Sequence, residues 1–145
     1  MIAIWNSGEK GKSSTILVLA NLLLSRFPQD IIHSSKNLNA LTVDFRLIIR
    51  INGRVIALES QGDPKTGLQR RLEDIITNPN YVRPNMIICS TRTRGETVHA
   101  VDTIARLHSY ETIWTSTYQV RQNHNVVNDI KAQHLLDLII QLQLI

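Results

Sequence analysis

The sequence predicts an α/β fold: a mostly parallel sheet of five strands, one of them reversed in a hairpin, with helices on both faces. Three observations predict it. Short apolar runs alternate with longer runs at helical spacing along the whole chain. The first strand-like run, Ile2 to Trp5, passes through a glycine-bearing loop straight into an apolar helix. An Asn52-Gly53 pair joins two β-like runs and is a strong hairpin signal, so the second strand should lie antiparallel to the third.

Each element has a local reason. Ile2 to Trp5 does not alternate with polar residues, as expected of a strand buried on both faces. The helix from Lys12 to about Phe27 is apolar nearly all round, which calls for cover on more than one side, and Pro28 stops it. Asp30 to Ala40 reads as a polar surface loop, within which His33 and Lys36 are placed to close over a ligand. Leu41 to Ile51 is the second strand, with Val43, Phe45, Leu47, Ile49 and Ile51 on one face, and Arg54 to Glu59 is the third. Leu68, Leu72, Ile75 and Ile76 mark a helix from about Lys65 to Thr77, ended by Asn78-Pro79. Asn85 to Ser90 is the fourth strand, Glu96 to His108 a helix and Tyr110 to Thr115 the fifth strand. Asn123 to Ile145 is a long helix, with Ile130, Leu135, Leu138, Ile139 and Leu142 inward.

The loop Asn6-Ser7-Gly8-Glu9-Lys10-Gly11-Lys12-Ser13-Ser14 carries the chemistry. Strand, glycine-bearing loop and a helix opening on Gly-Lys-Ser is the context of a phosphate-binding loop. A helix N-terminus offers unpaired N–H groups and the positive end of a dipole. Lys12 would reach the β- and γ-phosphates, and the Ser13 hydroxyl would hold Mg²⁺. The pattern has Gly six residues before its lysine, where this chain has Asn6, a residue type that tolerates positive φ. The third strand ends in Glu59-Ser60-Gln61-Gly62-Asp63, with an acid placed to assist a metal and a glycine to let backbone approach a γ-phosphate. Arg92 and Arg94 follow the fourth strand, at the sheet edge where ligands bind.

Length and composition set limits. With 145 residues and 43% hydrophobic content, the chain makes one domain with a core that needs no disulfide staples. A single cysteine, Cys89, lies in an apolar run and reads as a small core residue. The five histidines are scattered and form no ligand pattern. The formal charge of +4 suits a phosphate-bearing ligand, and nucleic acid as well. No secretory signal and no membrane span is evident, which leads us to expect a soluble cytoplasmic protein.

The order of strand, phosphate loop, helix, hairpin and strand-end carboxylate resembles the P-loop NTPase superfamily. The reversed second strand is similar to the Ras-like GTPase branch, whose Asp-x-x-Gly falls on Glu59-Ser60-Gln61-Gly62 with Glu for Asp. The guanine signature Asn-Lys-x-Asp is absent, which favours ATP over GTP. The resemblance implies a three-layer P-loop NTPase fold, with residues 1–145 forming one nucleotide-binding domain. It implies ATP and Mg²⁺ as cofactors, the metal held by Ser13 and Glu59. It gives catalytic roles to Lys12, Glu59, Asp63, Arg92 and Arg94, with Glu59 or Asp63 orienting water. Asn6 to Ser14 would cradle the phosphates, and Tyr118 and Gln119 would hold the base.

Three functions are consistent with these residues. The first is an Mg²⁺-dependent ATPase that drives or switches a protein partner or a second copy of itself. The second is a small-molecule or nucleotide kinase, with Arg92 and Arg94 as a mobile lid. The third is a non-catalytic nucleotide-binding module, for which Asn6 in the glycine position speaks.

Overall fold

The computed structural model describes residues 1–8 and 10–145. Glu9, counted above among the phosphate-loop residues, lies outside the described residues. The elements are β1 (Ile2–Trp5), α1 (Lys12–Arg26), β2 (Asp30–Ser34), a 3₁₀ turn (Leu38–Ala40), β3 (Arg46–Ile51) and β4 (Arg54–Glu59). There follow α2 (Leu68–Thr77), β5 (Met86–Thr91), α3 (Glu96–Leu107), β6 (Ile113–Ser116) and α4 (His124–Gln141).

The strands form one mixed sheet in the order β2-β3-β4-β5-β1-β6. β3 is antiparallel to both its neighbours, and the other pairings are parallel. The Asn52-Gly53 turn closes the β3–β4 hairpin with positive φ at both residues, as a two-residue turn of this hand requires.

Among the described residues the sheet has six strands where the sequence suggested five. The extra one, β2, lies in the segment read as a polar loop. It is an edge strand, paired only with β3, and its register shifts between Ile31 and His33. An edge strand that buries no complete face has no need of apolar alternation, so its sequence pattern is silent. The next strand starts later than expected: Val43 is exposed, whereas Phe45, Leu47, Ile49 and Ile51 do share one core.

Strand alternation feeds two cores. Ile2, Ile4, Ile56 and Leu58 pack toward α1 and α4, while Ala3, Val55 and Ala57 pack toward α2 and α3. Cys89 is fully buried in the second core, and burial pushes its thiol up to about 12. The inward face of α4 differs from the expected one. Ile130 and Leu142 are exposed, and Asn128 and Lys131 are buried beside Ala132, Leu135, Leu136 and Ile139. Among the described residues no helix is long and apolar enough to cross a membrane.

Candidate functional site

β1 is flanked by β5 and β6, so the loop after it emerges at the carboxyl edge of the sheet and runs straight into α1. Gly11 ends the loop with φ 74°, and Asn128 of α4 lies where a Cβ on Gly11 would sit. The left-handed φ favours glycine there, and any larger residue would also make Asn128 shift.

Asn6 does not use the positive φ that its residue type permits. It is buried, and its side chain ties the loop together instead. Its Nδ2 donates to the Thr117 hydroxyl at 2.7 Å, and its Oδ1 accepts from the Ser7 amide at 2.7 Å and from Gln119 Nε2 at 2.9 Å. Thr117 in turn donates to the Lys10 carbonyl at 2.7 Å. The loop is therefore braced against the segment after β6.

Lys12 folds back over the loop, its ammonium donating to the Ser7 carbonyl at 2.7 Å. Burial pulls its pKa below the ordinary lysine value, nearby Asp63 opposes that, and Arg92 adds to it. An ammonium in such a place is short of negative charge. Ser13 donates to the Ser60 carbonyl at 2.8 Å, and so does the Ser90 hydroxyl at 2.7 Å. A Cβ on Gly62 would overlap the Ser90 carbonyl, so this glycine serves the close packing of the β4 loop on β5.

Arg92 and Asp63 reach the same place. The Arg92 guanidinium lies against the Gly8 backbone, and its Nε is 3.0 Å from the Asp63 carboxylate. That contact is Coulombic: among the described residues Arg92 Nε has no aligned hydrogen-bond partner. Arg94 is exposed in the same loop.

Glu59 is placed elsewhere. It is fully buried on the α2 side of the sheet, with Arg46 Nε at 3.0 Å and Arg71 at 2.7 Å on its two oxygens. Arg46 also pairs with Asp74 of α2. The expected metal and water-orienting roles of Glu59 do not fit this arrangement, because alternation along β4 turns its carboxylate away from the α1 side where Ser13 lies. Arg92 and Asp63, not Glu59, are the charges next to the loop.

A cavity of about 530 Å³ opens beside the loop, lined by Lys10, Gly11, Ser14 and residues after β6, Tyr118 and Gln119 among them. Tyr118 is half-exposed, with its hydroxyl 2.7 Å from His134 Nδ1 and Lys131 Nζ 5.1 Å from its ring centre. Lys131 donates to the Thr115 hydroxyl at 2.6 Å, and burial pulls its pKa down. One face of Tyr118 therefore packs on α4 while the residue also lines the cavity.

Most of the expected loop residues thus converge: Asn6, Ser7, Gly8, Lys10, Gly11, Lys12, Ser13 and Ser14 with Asp63 and Arg92, and Tyr118 and Gln119 alongside. Sequence reading missed the roles of Thr117, which braces the loop, of Ser60 and Ser90, which meet at the carbonyl that Ser13 also reaches, and of Asn128, which meets Thr15 of α1. Only Thr117 had a signal, its position just past the strand beside β1. A hard cation needs oxygen ligands, and Mg²⁺ keeps much of its water. The Ser13 hydroxyl and the Asp63 carboxylate are the side-chain oxygens suited to it. Among the described residues no three His, Cys, Asp or Glu side chains converge on a metal site. No family model, curated protein or solved structure matches this chain.

Proposed function

We propose that this protein binds ATP with Mg²⁺ in the loop Asn6–Ser14 and hydrolyses it to drive or switch a partner, as a P-loop NTPase does. The observation that carries the reading is the buried, desolvated ammonium of Lys12, held over the loop by the Ser7 carbonyl and flanked by Arg92. A triphosphate would give Lys12 and Arg92 more negative charge than Asp63, which faces both, supplies, and the α1 N-terminus would add its amides. The catalysis would be mostly positioning and electrostatics: Lys12 and Arg92 stabilise charge on the transferring phosphoryl group. Mg²⁺, when bound, would neutralise phosphate charge, with Ser13 as its protein ligand. Asp63, released from Arg92, would orient the water. Glu59 has a structural role in this reading. The base would lie in the cavity beside Tyr118, large enough for a nucleoside.

Phosphate release from ATP, measured with Mg²⁺ and without any acceptor, tests the reading. Turnover that needs an added acceptor would favour a kinase, and binding without turnover a non-catalytic module.

A further inference from the structure

The chain has only two tryptophans, and both are half-exposed on the same face of the sheet. Trp5 ends β1, one strand alternation on from Ala3, and Ala3 pairs in register with Trp114 of the edge strand β6. Together with Val98 and Asp102 of α3 and Arg92 and Thr93 of the β5 loop, they line a groove of about 280 Å³. The groove is separate from the cavity beside Tyr118 and shares no lining residue with it. Arg92 is the link to the phosphate loop, since it also lies against Gly8.

We propose that this groove is a second subsite, which takes an amino-bearing heterocycle of nucleobase size. The volume is at the small end for a ligand pocket and suits one ring system. Indole faces are stacking surfaces for flat rings. The rim is two-signed. Asp102 is exposed and can accept hydrogen bonds, and Arg92, also in the lining, brings the opposite charge. A simple cation would be drawn to Asp102 and repelled by Arg92. The edge of an aminopurine or aminopyrimidine offers an N–H donor next to an acceptor, and so satisfies both. The occupant's place beside a transferring phosphate rests on the nucleotide reading above, whereas its binding does not. An occupied groove would make the occupant an effector sensed through Arg92.

Because both tryptophans line the groove, their fluorescence reports on it directly. The test titrates the protein with adenosine, cytidine and purine riboside, which has the purine ring without the amino group, in the absence of Mg²⁺ or triphosphate, so that it reads separately from ATP binding. We expect saturable quenching by adenosine and cytidine, with purine riboside at least about tenfold weaker, from the lost N–H donor. Asp102→Asn and Trp114→Ala should each weaken binding about tenfold, and Tyr118→Ala should not change it. Circular dichroism establishes that each variant is folded, and Asp102→Asn carries the test if Trp114→Ala is not. No saturable quenching, equal response to purine riboside, loss of response in Tyr118→Ala, or tighter response to free arginine or to a single-stranded oligonucleotide would overturn the proposal.

Discussion

The side-chain amide of Asn6 and the hydroxyl of Thr117 meet at 2.7 Å in the protein interior, joining the loop after β1 to the segment after β6. The departure from the glycine pattern is therefore a replacement of backbone freedom by a side-chain brace. Asn6→Gly, which restores the pattern, should destabilise the protein, because it strips hydrogen-bond partners from Thr117, Ser7 and Gln119. The expected loss is about 1–3 kcal/mol. Urea unfolding measures it, and a variant as stable as the parent would show that the brace has no energetic role.

Glu59 is fully buried and held by Arg46 and Arg71. Glu59→Gln should cost about 1–3 kcal/mol, since it weakens two charge-assisted hydrogen bonds while Arg46 keeps Asp74 and Arg71 stays partly solvated. The Mg²⁺ concentration that half-saturates ATP binding should not move. A shifted Mg²⁺ dependence with unchanged stability would return Glu59 to the metal.

The depressed pKa of Lys12 gives a pH signature. Burial favours the neutral amine in the folded state, so between the lowered value and the ordinary 10.5 the unfolded chain binds more protons. The contribution of Lys12 to stability without ligand therefore rises with pH through that window and is flat below it. Lys12→Met should abolish this rise and leave the melting temperature at neutral pH no lower than that of the parent. A fall of several degrees would mean that the Ser7 contact outweighs the cost of burying the charge.

Arg92 lies against the loop backbone, and Arg94 is exposed. Arg92→Ala should lower kcat for ATP hydrolysis about a hundredfold, with a smaller loss of ATP affinity, because the charge it meets is greatest in the transition state. Arg94→Ala should be near neutral in the same assay. The reverse ranking would mean that the loop rearranges on binding.

Part of this site was legible in the sequence, and the limits are physical. The β1–loop–α1 unit was legible because an apolar strand, Gly11 and a basic helix start leave few alternatives. The β3–β4 hairpin was legible because Asn52-Gly53 fixes a turn type. Strand order was not, since nothing local announces that β5 inserts between β1 and β4. The alternation along β4 takes Glu59 out of the site, and the insertion puts Arg92 beside the loop. β2 escaped because an edge strand needs no periodic burial. The inward face of α4 escaped because Asn128 and Lys131, turned inward to contact Thr15 and Thr115, erase the apolar stripe that periodicity reads.

The most direct test of the central claim is calorimetry of ATP binding with Mg²⁺ to the parent protein and to Lys12→Ala. The account predicts saturable binding by the parent and at least about a hundredfold weaker binding by the variant, from the loss of a charge-assisted contact in a largely desolvated site. It also predicts that the variant stays folded. Equal affinity in a folded variant, or no binding by the parent, would contradict the assignment of Asn6–Ser14 as a phosphate-binding loop.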